Sequence, residues 1–97
     1  MATYIVLLQF TDQGIRNIKD TTKRATAATE AAAKVGVKFT DLFWTLGQYD
    51  LAIVAEAQDE ETMTALMLKL ASLGNVKSQT LRAFRAKEME RILTKVG

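Results

Sequence analysis

Tyr49 and Asp50 put a phenol next to a carboxylate. A phenol can donate a hydrogen bond to a bound ligand, and a carboxylate whose pKa is raised by burial can act as a general base. Neighbours in an extended strand point to opposite faces, so the two do not work as a simple pair within one chain. Each also has a plainer role. Tyr49 can be a buried aromatic whose hydroxyl finds a partner, and Asp50 can brace a turn by accepting backbone N–H bonds. Phe43 and Trp44 lie just before this point on opposite faces; one of them could stack a planar ligand or contribute buried area to a core or an interface. Arg82 and Glu56 could pair with each other, with Asp50 or with an anionic ligand, or form a rim salt bridge of little consequence. The candidate ligand-binding set is Trp44, Tyr49, Asp50 and Arg82.

Much other chemistry is excluded. The chain has neither His nor Cys, which removes the commonest general base, disulfides and thiolate metal sites. Asp12, Asp41, Asp50 and Glu56 show no ligand spacing, so no metal is expected, and no residue is assigned as catalytic. No phosphate-binding glycine loop points to a nucleotide cofactor. The 13 basic and 11 acidic residues leave a net charge of only +2, and the basic ones are dispersed. The third strand, Ala52-Ile53-Val54-Ala55-Glu56-Ala57, lacks the exposed aromatics on which RNA-binding modules stack bases. Neither nucleic acid nor membrane is an expected partner. The N-terminus has no signal-peptide pattern and no apolar run approaches the ~20 residues that span a bilayer, so a cytoplasmic protein is expected.

The elements that must position these residues follow from periodicity. Tyr4–Phe10 is rich in β-branched and aromatic residues and apolar on both faces, as in a central strand. Thr11 or Asp12 can cap a helix running from about Ile15 to Val35, with Ile15, Ile18, Thr22, Ala25, Thr29 and Ala32 inward and Gly36 ending it. Val37–Leu46 and Tyr49–Ala57 form a central hairpin turning at Gly47-Gln48. Asp59-Glu60-Glu61 opens a second helix with negative charge at its N-terminus. Its core stripe is Met63, Leu66, Met67, Leu70 and Leu73, and Gly74-Asn75 ends it. Val76–Phe84 is a polar edge strand. A last helix, Ala86–Val96, carries Met89, Ile92, Leu93 and Val96 on one face.

The order β-α-β-β-α-β makes one α+β domain over residues 1–97. It is a ferredoxin-like antiparallel sheet with two helices on one face, plus a short C-terminal helix. The second sheet face lacks cover although the central strands are apolar on both sides. An exposed face of that kind is rare in monomers, so a homo-oligomer, dimer or trimer, is expected. The terminal helix could instead fold over that face or reach a neighbouring subunit.

Trp44-Thr45-Leu46-Gly47-Gln48-Tyr49-Asp50-Leu51 resembles the signature of the GYD-domain family. The segments Tyr4–Ile15 and Leu73–Phe84 are similar to the family's first and last strands, and the resemblance extends over nearly the whole chain. It implies a ferredoxin-like fold in small bacterial proteins without an established activity. The first helix is unusually rich in Ala. Ala27 and Ala31, expected on its outward side, could join Leu68 in an apolar patch on the helical layer. That patch would be a contact surface for a second protein in a natural or engineered assembly, or simply strong helix former. A structural or small-ligand-binding oligomer therefore fits better than an enzyme. The alternative is a small α+β barrel enzyme of the monooxygenase or isomerase type with its site near Tyr49 and Asp50.

Overall fold

A computed structural model describes residues 1–97. The elements are β1 (Ala2–Phe10), α1 (Asp12–Arg16), a single 3₁₀ turn (Ile18–Asp20), α2 (Thr21–Lys34), β2 (Lys38–Trp44), β3 (Leu51–Ala57), α3 (Glu60–Ser72), β4 (Val76–Ala83) and α4 (Ala86–Leu93). The strands form one antiparallel sheet in the order β2-β3-β1-β4, the ferredoxin-like arrangement. The core lies between the sheet and the helices. Tyr4, Val6 and Leu8 of β1 stand opposite Ala55, Ile53 and Leu51 of β3, and Met63, Leu66 and Met67 of α3 cover them.

Four expectations need correction. The single helix from Ile15 to Val35 is broken into α1, the 3₁₀ turn and α2. The break is held by Arg24, whose guanidinium donates to the carbonyls of Asn17 (2.6 Å) and Gly14 (3.3 Å). The Gly14 carbonyl is one that a helix end leaves unpaired, and the Asn17 carbonyl also accepts the Asp20 N–H of the 3₁₀ turn (3.1 Å). Restarting the helix at Thr21 shifts its phase. Ile15, Ile18, Thr22 and Thr29 are exposed, while Ala32 is buried and Ala25, Ala28 and Ala31 are partly covered.

The hairpin turn is wider than the pair Gly47-Gln48. β2 stops at Trp44 and β3 starts at Leu51, so Tyr49 and Asp50 lie in the connecting loop and not in a strand. β2 is an edge strand and not a central one, which leaves Phe43 55% exposed. Finally, α4 does not close over the sheet and ends at Leu93: none of its residues is buried, and Met89, Leu93 and the following Val96 are exposed. The molecule is 51 Å long and 18 Å thin, the thickness of one sheet under one helical layer.

The edge position of β4 is as expected, and its register with β1 is secured at one end by a clasp. Thr11 Oγ1 donates to the Gly74 carbonyl (2.5 Å) and accepts the Gly14 N–H (3.1 Å), while the Thr11 N–H donates to the Asn75 carbonyl (3.1 Å). Gln13 Nε2 donates to the Leu73 carbonyl (3.0 Å) and to Asn75 Oδ1 (2.9 Å). Gly14 is required there because a Cβ would meet the Asn75 carbonyl oxygen at 2.1 Å. Gly14→Ala is expected to lower stability by about 2–3 kcal/mol, through overpacking against backbone that cannot yield. Urea unfolding of the two proteins measures this.

Candidate functional site

The β2–β3 loop is tied to the sheet at several points. The Thr45 N–H donates to the Asp50 carbonyl (2.8 Å), and Thr45 Oγ1 donates to the Tyr49 carbonyl (2.6 Å). Gly47 supplies the one positive φ that the loop needs, +128°. The Asp50 N–H donates to the Leu8 carbonyl (2.8 Å), and Asp50 Oδ2 accepts the Phe10 N–H (2.8 Å). The carboxylate thus stands in for a ladder carbonyl and prolongs the pairing of β1 where β3 has ended. Gln9 Nε2 donates to the Gln48 carbonyl (2.9 Å). Tyr49 folds toward the open face of the sheet, where its hydroxyl donates to Gln79 Oε1 of β4 (2.9 Å). Trp44 turns the other way: its indole N–H donates to Thr21 Oγ1 at the start of α2 (3.0 Å).

The four residues expected to bind a ligand are therefore not brought together. Trp44 lies at the β2 edge under α2, Tyr49 at the open face, and Asp50 against β1. Arg82 lies across the sheet on β4. It pairs with neither Glu56 nor Asp50; its nearest carboxylate oxygen belongs to Glu88 of α4 (3.6 Å). Its guanidinium stacks over the rings of Phe84 (4.5 Å) and Tyr4 (5.7 Å), and also donates to the carbonyls of Thr3 (3.3 Å) and Ala83.

Of the surface cavities, two flank α3 on the helical side. An apolar cleft of about 320 Å³ runs between α2 and α3, lined by Ala27, Ala31, Leu70 and Leu73 above Leu42 and Ile53. A larger groove of about 770 Å³ runs between α3 and β4 and is lined by Tyr4, Glu60, Met63, Met67, Leu68, Thr80 and Arg82, among others. β4 presents short hydroxyls, Ser78 and Thr80, toward the helices, which is why the groove stays open. Ala27 and Ala31 thus belong to one flank of α3, and Leu68, 67% exposed, to the other.

Tyr4 is a further candidate that the local pattern of β1 does not single out. It is 3% exposed, and its hydroxyl is sealed from solvent without a hydrogen-bond partner. Burial pushes its phenol above the ordinary value; Glu60 and Asp59 act the same way and Arg82 opposes them. The available signal was a Tyr where Phe would suffice, in a strand that pairs with one carrying Arg82. Glu88 is held below the usual carboxylate range, first by the Arg85 N–H that its Oε1 accepts (3.0 Å) and, after an opposing effect of burial, by Arg82. No group of His, Cys, Asp and Glu side chains is arranged to hold a metal ion, and no helix is long and apolar enough to cross a membrane.

The model of the GYD domain matches residues 4–93. A Thermus thermophilus protein named "Glutamine synthetase and cystathionine beta-lyase binding protein" is 37% identical over 84 residues, 86% of this chain and 88% of that protein. Among solved structures, TTHA0845 from Thermus thermophilus is similar with a TM-score of 0.58 and 27% identity, covering 89% of this chain and 96% of that one. An ACT domain protein from Streptococcus pneumoniae, 17% identical with a TM-score of 0.51 over 86% of this chain and 90% of that one, shares the fold.

Asp50→Ala is expected to cost about 1–3 kcal/mol, because the Phe10 N–H loses its acceptor. Asp50→Asn, which keeps a carbonyl oxygen, is expected to cost less, and denaturant titration ranks the two. Because the folded pKa of Glu88 is depressed, its stabilising contribution is complete above the ordinary value of 4.5 and disappears as pH falls through the lower folded value. The backbone chemical shifts of residues 86–93 should therefore move toward coil on acidification, and less so in Glu88→Gln.

Proposed function

The chain belongs to the GYD-domain family, and on that premise we infer that it is a non-catalytic, self-associating protein that binds metabolic enzymes. One observation carries the reading: its apolar surface exceeds what one chain covers. The open sheet face holds Ile5, Leu7 and Val54, partly covered, and Phe43 and Leu81, exposed. α4 likewise presents Met89, Ile92 and Leu93 without a buried contact. An eight-residue helix is marginal in water without packing. A second copy laid sheet to sheet would cover the open face, in a dimer or as part of a trimer, and α4 could reach onto that neighbour.

The enzyme-binding part draws on the name of the Thermus relative, which binds two enzymes. The surface left for such a partner is the helical layer, where Ala27 and Ala31 line the apolar cleft on one flank of α3 and Leu68 stands exposed on the other. The protein is expected in the cytoplasm with those enzymes. Tyr49 and Asp50 speak less for a barrel enzyme, because the phenol and the carboxylate each hold a structural hydrogen bond.

Size exclusion with light scattering should give a dimer or larger, and Val54→Asp with Leu81→Asp should give a folded monomer. A wild-type monomer would refute self-association. Ala27→Arg with Leu68→Arg should leave the oligomer intact and weaken capture of purified glutamine synthetase from the same organism. Unchanged capture would move the contact off the helical layer, and no capture by the wild type would refute the enzyme-binding part.

A further inference from the structure

We propose that the groove between α3 and β4 binds a small monocarboxylate with a branched apolar tail, the carboxylate hydrogen-bonded by the Tyr4 hydroxyl and the Arg82 guanidinium. Tyr4 lines the groove, is 3% exposed and has an unpartnered hydroxyl. Buried polar atoms are almost always paired, and the same ring packed as Phe would fill the core as well. A donor kept there without an acceptor points to an acceptor that is not part of the chain.

Arg82 lies over that ring and lines the same groove. Its one charged partner is distant, the ion pair with Glu88 being 3.6 Å long, while its N–H groups bond the carbonyls of Thr3 (3.3 Å) and Ala83 and its plane lies over Phe84. It stands on an edge strand at the rim of the groove, so a ligand that reaches the Tyr4 hydroxyl meets the guanidinium beside it. A guanidinium presents parallel donors that match the two oxygens of a carboxylate. The charges lining the groove itself are Lys77 and Arg82 against Glu60, and Asp59 and Glu61 line the adjoining recess that shares Tyr4 and Arg82, a balance that admits no more than a single negative charge.

The rest of the groove sets the ligand's body. Met63 and Met67 form an apolar wall, and Leu68 stands beside it 67% exposed. A branched tail on that wall would cover Leu68. Methionines adapt to such a shape because their side chains are unbranched and polarisable. The volume of about 770 Å³ falls within the usual range for small-molecule sites.

The test uses the full chain and follows its amide resonances while 4-methylpentanoate, 4-methylpentylamine or inorganic phosphate is added. The carboxylate is expected to shift residues 63–71 and 78–82 saturably in the millimolar range or below, and the amine and phosphate are not. Tyr4→Phe should weaken the carboxylate about tenfold, the effect of one charge-assisted hydrogen bond, while the free variant melts at the same temperature or higher. Arg82→Lys should weaken it further without unfolding the chain. The proposal is overturned if 4-methylpentanoate causes no saturable shift, if the amine or phosphate binds equally well, or if Tyr4→Phe leaves affinity unchanged. A lower melting temperature for Tyr4→Phe would also overturn it, because the hydroxyl would then have its partner within the chain.

Discussion

The contact on which the rest of this structure depends is the clasp between the end of β1 and the turn that precedes β4. Thr11 alone satisfies a helix N-terminus through Gly14 and a turn carbonyl at Gly74 with one hydroxyl, and the chain approaches so closely at Gly14 that no side chain fits. Loops can slide past one another when they meet only through side chains. Here backbone meets backbone, so the register of β4 on β1 and the line of the groove beside it are set by covalent geometry and a few short hydrogen bonds. Thr11 and Gly74 are themselves at one end of that groove.

On its β3 side the same end of the sheet is held by side chains doing what backbone does elsewhere. Asp50 supplies an acceptor to Phe10, and Tyr49 reaches Gln79 across the sheet. The residue types that mark the hairpin therefore serve mainly to bind β1 to both of its neighbours at once. The helical side is less economical. Its two cavities flank α3, one almost wholly apolar and one mixed in character. The open side of the sheet repeats the theme, with apolar groups that a single layer of chain leaves uncovered.

Element types and their order were legible because alternation and helical spacing are strong in this chain, and the edge character of β4 followed from Lys77, Ser78, Gln79 and Arg82. The break near Asn17 was not legible. It depends on Arg24 reaching back to carbonyls in another turn, a contact that no local pattern encodes. The extent of the hairpin loop was missed for a similar reason. Thr45 and Tyr49 have good strand propensity, but Thr45 bonds within the loop and Tyr49 bonds across the sheet, and tertiary contacts override propensity. Of the candidate residues, Trp44, Tyr49 and Asp50 are near one another in sequence and Arg82 is distant. The structure sends those side chains to different faces, whereas Tyr4 and Arg82, far apart in sequence, share a face as cross-strand partners.

The pairing of β1 with β4 joins Thr3 to Ala83 and Phe10 to Val76. The first strand of this sheet to be synthesised thus lies at its centre and receives one of its two neighbours only when the sheet's last strand has been made. During synthesis β1 can pair with β3, but its other edge stays open until residue 76 and beyond have emerged. That edge is a row of unpaired amides and carbonyls on an apolar strand, the kind of template on which chains join wrongly. Closure by β4 is a late, long-range event, so the speed of folding should be governed by the search for that one pairing more than by the helices formed on the way.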